Sequence, residues 1–471
     1  MFNLFWFRRD LRLDDNVGLW ECLKTQTPSL LLFIFDTNIL GELEINDKRV
    51  SLIFDRVLFL KTELEKRNSS LMVFYGDPVK IHQSILEILP IQCLYFNHDY
   101  EPYPLERDDK VKNLYKSYKR KVFTFKDHVI FEKEEILNPQ QEPYKVYSQY
   151  KKQWFKKFEL QQLKIYPSQE LLNFAISKEM IKQNKDLFKK LFQQQNQIYE
   201  DLNIIDEGRF PNPVLEKMHF QKVSYVLPNP NLDEVLLKNY AKNRDFPFLE
   251  SGTSKISVHL RFGLRSIREI IKTTFNLSIK YIEELVWREF YIMILYFFPE
   301  SVNKEWNPKY QYLRDIWRNP ELDEKAEEDF LRWCSGETGY PLVDAGMKEL
   351  NETGYQHNRV RMVCANFLVK DLLIDWKFGE RYYAKKLMDF ELASNVGNWQ
   401  WCSGTGVDAA PYFRIFNPLL QQKKFDPNYQ YIKKWIPDFD ENNYLKPIVD
   451  HEVSKEQVLK LFKKVEQYAQ H

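Results

Sequence analysis

The chain has 471 residues, with 68 Lys+Arg against 67 Asp+Glu, a net charge of +1, and 44% hydrophobic and 29% charged residues. That is the composition of a folded globular protein, which excludes an intrinsically disordered chain; at ~100–200 residues per domain it predicts two to four domains. Aromatic residues reach 15% while glycines number only 14, about half the usual ~7%, which excludes a collagen-like fibre and argues against a glycine-rich phosphate cradle.

Four short apolar runs open the chain, at 2–7 (FNLFWF), 30–35 (LLLFIF), 71–75 (LMVFY) and 93–96 (CLYF). Each is four to six residues long and bounded by turn or charged residues, the pattern of buried parallel strands. Between them, 50–67 carries Leu52, Ile53, Val57, Leu60 and Leu64 at helical spacing, as a crossover helix requires. The βαβ alternation predicts an α/β domain over 1–130 built on a doubly wound parallel sheet, with ligands at the carboxyl ends of its strands. The first strand runs into Arg8, Arg9, Asp10 and Arg12 with no GxGxxG, so a dinucleotide fingerprint is absent.

Residues 131–200 are rich in Lys and Gln, include the tract FQQQNQ at 192–197, and read as a linker wrapping a surface. Within it Tyr147, Tyr150, Trp154 and Phe158 fall at helical spacing among Lys151, Lys152, Lys156 and Lys157. Two readings stand: a nucleic-acid face, or a packing face with solvated lysines opposite. From 201 to 471 long helical patterns dominate, with 279–298 and 359–376 as central helices of an all-α domain. Eight of the eleven tryptophans lie beyond residue 280.

Several clusters in that half carry chemistry. In NVGNWQW (395–401), Trp399 and Trp401 point to nearly opposite sides of a helix at about 100° per residue, so the pair lines two compartments or is simply core. Glu284, Trp287 and Arg288 share a helical face; they can grip a heterocycle by edge and face, or form an ordinary ion pair beside a core indole. Asn358, Arg361 and Met362 repeat that spacing. Thr253, Ser254 and Ser257 put hydroxyls at a helix start, where free N–H groups suit a phosphate. There is no nucleophile elbow, HExxH or P-loop. The five cysteines are odd in number and widely spaced without CxxC, which reads as reduced thiols and no metal site. The N-terminus lacks a signal-peptide pattern and no run reaches the ~20 apolar residues of a membrane span, so the expectation is a soluble, cytoplasmic protein.

In chain order, WFRRDLRLDDN (6–16), RDFP (244–247), GTSKIS (252–257), ELVWREFY (284–291), TGYPLVDAGM (338–347), HNRVRM (357–362), FLVKDLLIDW (367–376) and NWQW with DAAPYFRIFNP (398–401, 408–418) resemble the DNA photolyase and cryptochrome family. The likeness is greatest to the bacterial class I cyclobutane pyrimidine dimer photolyases. It implies an α/β antenna domain at 1–130, a linker at 131–200 and a helical FAD-binding domain at 201–471. It implies light-driven electron transfer from reduced FAD to a flipped pyrimidine dimer in UV-damaged DNA, single- or double-stranded, by a monomeric enzyme. The alternative is a cryptochrome-type blue-light photoreceptor.

Position by position, the resemblance assigns Tyr240, Thr253, Ser254, Lys255, Ile256 and Ser257 to the flavin phosphates, with Lys255 where the bacterial pattern often has Arg. It assigns Asn395 to the reactive flavin nitrogen, Arg361 and Asp389 to an ion pair beside the ring, and Glu391 to the adenine side in place of an aspartate. Glu284, Trp287, Arg288, Asn358, Arg359, Met362 and Trp401 fall to the lesion and DNA, Glu284 also to the cofactor and, with Asn395, to catalysis, and Trp399, Trp376 and Trp317 to an electron relay. Asn358, where six-four photolyases carry a histidine, favours the cyclobutane lesion. Pro104 stands where folate-binding relatives have a glutamate, which argues against folate as a second, antenna chromophore and leaves its identity open.

Overall fold

A computed structural model describes residues 1–159, 163–194, 198–230, 232–315 and 317–468. The chain forms two units, each assembled from three stretches: Met1–Glu132, Leu160–Pro228 and Ser257–Thr273 in the first, Lys133–Glu159, Asn229–Ile256 and Thr274–His471 in the second. No helix among the described residues is long and apolar enough to cross a membrane.

The first unit is built on strands β1 (Phe2–Phe7), β2 (Ser29–Asp36), β3 (Leu71–Gly76), β4 (Ile91–Asn97) and β5 (Lys121–Phe125), all parallel in the order β3-β2-β1-β4-β5. Every residue of β1 and β2 is buried, as continuous apolar runs covered on both faces must be. The crossover helices start where side chains satisfy their free N–H groups: Asp47 caps Lys48–Glu65, and Asp77 caps Pro78–Ile88. The first β–α junction is filled by ion pairs. Arg12 binds Asp127 at 2.7 Å, Arg268 binds the same carboxylate at 3.0 Å, and Arg268 Nε donates to Asp15 at 3.1 Å. Burial opposes the charge of Asp127, yet the two guanidiniums hold its carboxyl below the usual range. Beyond the carboxyl ends of the strands, Arg107 reaches Asp108 at 2.9 Å and Asp36 at 3.4 Å, and Tyr103 donates to Asp36 at 2.7 Å.

The second unit is helical. Its core gathers Trp333, Trp376, Tyr383 and Trp399 with the aliphatic faces of Pro341–Thr353 and Asn358–Asn366. The predicted helix at 279–298 is observed as Ile279–Phe297, whereas the one predicted at 359–376 is not continuous. Asn358–Asn366 widens into a π turn at Phe367–Asp371, Leu373 takes a left-handed φ of 56°, and a new helix, Trp376–Lys386, starts on the Asp375 cap. Lys370, in the π turn, is buried: its Nζ donates to the Ser403 carbonyl at 2.7 Å and lies 3.8 Å from the Phe462 ring. Burial pulls this ammonium down to about 7.

Helices also occupy the stretch read as a linker, at Tyr147–Glu159, Lys178–Gln183 and Lys185–Gln193; residues 195–197 of the FQQQNQ tract lie outside the described residues. The aromatic stripe on Tyr147–Glu159 is a packing face and not a nucleic-acid face. Tyr147 stacks on Trp287 at 3.5 Å, Tyr150 lies 5.5 Å from Phe290, and the Trp154 indole N–H donates to the buried Glu289 at 2.6 Å. The rings are drawn inward because the 279–297 helix offers them an apolar wall that water does not.

Candidate functional site

The second unit brings most of the predicted site residues onto five helices: Glu234–Asn243, Ile279–Phe297, Asn358–Asn366, Trp376–Lys386 and Leu392–Ser403. Close approach depends on two glycines. A Cβ on Gly397 would lie 2.2 Å from Tyr291, and one on Gly379 would lie 2.1 Å from the Trp399 ring, so neither helix crossing tolerates a side chain there.

Arg361 and Asp389, 28 positions apart, meet at 2.9 Å, and Arg361 Nε also donates to the Gln356 carbonyl at 2.7 Å. The second carboxylate oxygen of Asp389 is buried without a hydrogen-bond partner. Buried carboxylate oxygens are seldom left so, because the group loses its hydration without compensation; a ligand hydroxyl or N–H beside the pair would satisfy it. Asn395, buried to 8% exposure, directs Nδ2 at Glu380, 2.8 Å from the carboxylate and 3.1 Å from the backbone carbonyl. Burial raises the Glu380 carboxyl, and the bond from Asn395 only partly offsets it.

In the predicted phosphate segment, a 3₁₀ turn at Glu250–Gly252 leads into an extended Thr253. Ser254 Oγ lies 2.9 Å from the Tyr281 hydroxyl, against which Tyr240 packs edge-on at 5.1 Å. Lys255 adopts a left-handed φ of 53° and pairs with Glu250 at 3.0 Å, while Ile256 is buried. Lys434 also binds Glu250, and together the two lysines hold its carboxyl down at about 2. Ser257 opens the helix Ser257–Arg261, which belongs to the first unit.

For the predicted lesion pocket, Glu284 is held by Arg244 and by Lys280, the latter at 3.0 Å. Trp287 is stacked between Tyr147 at 3.5 Å and Tyr291 at 5.5 Å. Arg288 is engaged by Glu391 through two bonds of 2.9 and 2.8 Å, which couples a predicted DNA contact to a predicted cofactor contact. Arg359 pairs with Asp245 at 2.9 Å and lies 4.4 Å over the Phe425 ring; Asn358 faces the Met362 sulfur at 4.0 Å.

Trp399 and Trp401 do lie in different surroundings. Trp399 is buried, edge-on to Tyr383 at 5.1 Å and to Trp333 at 6.2 Å. Trp401 is half-buried, with the Arg414 guanidinium 5.8 Å from its ring. Trp376 is fully buried and donates to Glu305 at 3.4 Å, and the buried Trp317 indole N–H has no acceptor. Sequence reasoning missed Glu380, and it singled out Tyr147 and the RDFP motif that holds Arg244 without their partners Trp287 and Glu284, which come from distant segments. It also gave no role to Arg414, which is exposed beside the Trp401 ring, to its exposed neighbour Phe413, or to Lys423 and Lys424, exposed just before Phe425. The PYFR run after NWQW, an aromatic beside a cation, was the available signal.

Among the described residues no three or more His, Cys, Asp or Glu side chains are grouped to hold a metal ion. Residues 3–169 match the family model described as DNA photolyase, and 281–442 the one described as FAD binding domain of DNA photolyase. The deoxyribodipyrimidine photo-lyase of Synechococcus sp. is 31% identical over 98% of this chain and 96% of its own. Among solved structures, a bacterial class III photolyase from Agrobacterium tumefaciens superposes with a TM-score of 0.76 at 27% identity, covering 98% of this chain and 97% of its own. An archaeal photolyase from Sulfolobus tokodaii, solved with two FAD molecules, also gives 0.76 at 27% identity, over 98% of this chain and 100% of its own.

Proposed function

The chain belongs to the DNA photolyase family, and from that premise we propose that it repairs cyclobutane pyrimidine dimers in UV-damaged DNA with light. The observation that carries the reading is the Arg361–Asp389 pair with its unsatisfied buried oxygen, in the same unit as Asn395. This donor and acceptor set fits the polar edge of a flavin ring: a guanidinium, an anionic acceptor and a neutral amide. FAD bound and reduced there supplies the light-absorbing electron donor.

This chain's own residues do the rest. Thr253, Ser254, Lys255, Ile256 and Ser257, with Tyr240, hold the phosphates by hydroxyls, backbone and one cation. Arg361 and Asp389 orient the ring, Asn395 faces its reactive nitrogen, and Arg288 with Glu391 ties the cofactor side to the substrate side. Glu284 accepts from a base edge of the flipped dinucleotide, and Trp287 and Trp401 flank the dimer with Asn358 and Met362. Flipping costs less at a lesion that already stacks poorly. Arg359, Arg414, Lys423 and Lys424 neutralise backbone phosphate, and exposed Phe413 offers a ring to a neighbouring base. Trp317, Trp376 and Trp399 pass electrons inward when the flavin needs reducing. The α/β segment 1–130 serves as the antenna domain; a flavin or deazaflavin suits it better than folate, since Pro104 is buried in the first turn of Pro102–Ser117.

The test is recovery of ultraviolet absorbance in dimer-containing oligothymidine by the reduced, FAD-loaded protein under blue light, with a dark control. A protein whose flavin is reduced by light but which leaves dimers intact is a photoreceptor and not a repair enzyme.

A further inference from the structure

We infer that Glu380 is a proton reservoir for the group that Asn395 faces, filled from a surface groove in the second unit. The inference rests on the flavin reading above. The groove, ≈ 1940 Å³ in volume, is lined among others by Glu305, Trp306, Trp317, Lys377, Glu380 and Arg381. Glu380 is half-buried and is the only one of these six that is also bonded to a predicted cofactor residue. It stands one helical turn after Trp376 and next to Gly379, which abuts Trp399, so the proton route lies beside the electron route at this helix.

The hydrogen bonds give Asn395 a direction. Both contacts from its Nδ2 go to Glu380, one to the carboxylate and one to the carbonyl. What Asn395 keeps for a ligand is therefore Oδ1, an acceptor, which suits a ring nitrogen that carries a proton and does not suit one that lacks it. A site that favours the protonated form needs a proton source, and the carboxyl held against Asn395 is the adjacent acid. Its burial keeps a proton on it more readily than on an exposed glutamate.

An external one-electron donor that carries no proton, such as ferrocyanide, is oxidised and gives one electron to Trp317; the electron reaches the bound ring through Trp376 and Trp399. The Glu380 O–H bond breaks and, alongside Asn395, an N–H bond forms on the ring. The carboxylate then regains a proton from groove water, so one proton leaves the medium with the first electron and none follows the second at that nitrogen. Glu380 acts past Asn395 and is a positioning residue for that proton.

The experiment follows light-driven reduction of the FAD-loaded protein with ferrocyanide, a donor that releases no proton, while a pH-indicator dye reports proton uptake. Wild type takes up one proton per bound flavin, in step with the first electron. E380Q still accepts the Asn395 bond but has no acidic proton, so uptake lags reduction and slows roughly 10²-fold, the usual scale of a lost general acid. Its rate also loses the pH dependence that wild type shows. E380D keeps that pH profile at reduced rate, and E321Q, on the exposed groove rim, behaves as wild type. E380Q with bound FAD and wild-type uptake overturns this inference alone; a wild-type protein that takes up no FAD overturns it together with the flavin reading.

Discussion

Replacing Gly379 by alanine sets two magnitudes against each other. In a helix interior alanine is favoured over glycine by about 1 kcal/mol, so propensity alone predicts a more stable protein. The new methyl, however, would lie 2.1 Å from Trp399 Cη2, 2.5 Å from Cζ3 and 2.6 Å from Leu368 Cδ2. Carbon atoms rest at about 3.5–4.0 Å, so the shortfall across the three runs from about 0.9 to 1.9 Å. Neither neighbour can step aside: Leu368 is 0% and Trp399 3% exposed, and Tyr383 and Trp333 hem the indole in. Overpacking costs about 1–3 kcal/mol, and this contact belongs at the upper end. The net loss is about 1–2 kcal/mol, or roughly 2–8 °C in Tm for a unit of this size. Thermal unfolding followed by tryptophan fluorescence reads it directly. Gly41→Ala, where the nearest atom is a single carbonyl oxygen at 3.0 Å, serves as control and shifts Tm by less than the variance between preparations. A Gly379→Ala protein as stable as wild type, with unchanged tryptophan emission, refutes the close packing of Trp399 on this helix.

Trp401→Ala weakens binding of dimer-containing DNA by about 1–3 kcal/mol in a filter or fluorescence titration, with flavin content unchanged. Trp399→Phe slows light-driven flavin reduction but spares repair by protein reduced beforehand; equal losses in both assays contradict the division of labour between the two indoles. Lys423→Ala and Lys424→Ala each lower the slope of log K against log salt by about 1 with no change in lesion preference. Lys370 gives a pH signature: its folded value lies at about 7 and its unfolded value at 10.5, so the penalty for burying it is full below pH 7 and fades as pH rises to 10.5. Relative to Lys370→Met, wild type therefore gains about 1.4 kcal/mol per pH unit across that window, and parallel denaturation profiles for the two proteins refute the assignment.

Much of the architecture is legible in local pattern. The runs at 2–7, 30–35 and 71–75 coincide with β1, β2 and β3 because a strand covered on both faces has no polar positions to confuse it. Lys121–Phe125 was passed over for the opposite reason: as an edge strand it is only partly buried, and KVFTF carries no continuous apolar run. The break within 359–376 is hidden by its apolar composition, since the π turn and the left-handed Leu373 answer to packing rather than to propensity. In the site, spacing places Glu284, Trp287 and Arg288 on one face. It says nothing of what each meets, because Arg244, Tyr147 and Glu391 arrive from other elements. Glu380 was invisible for the same reason: its partner Asn395 sits on the next helix, at no regular interval.

The ion pairs among Arg12, Asp15, Asp127 and Arg268 bear on how this protein can be divided or recombined. Arg268 comes from Ser257–Thr273, a stretch that returns to the first unit after the chain has already entered the second. A gene fragment ending near residue 130 encodes the whole parallel sheet but leaves Asp15 and Asp127 without that guanidinium. Stranding a buried charge in this way costs about 3–5 kcal/mol, a large share of a domain's stability. The α/β half is therefore not a cassette that can be cut out at a single point. Chimeras that exchange it between relatives need a second crossover around residues 257–273 to carry its arginine along.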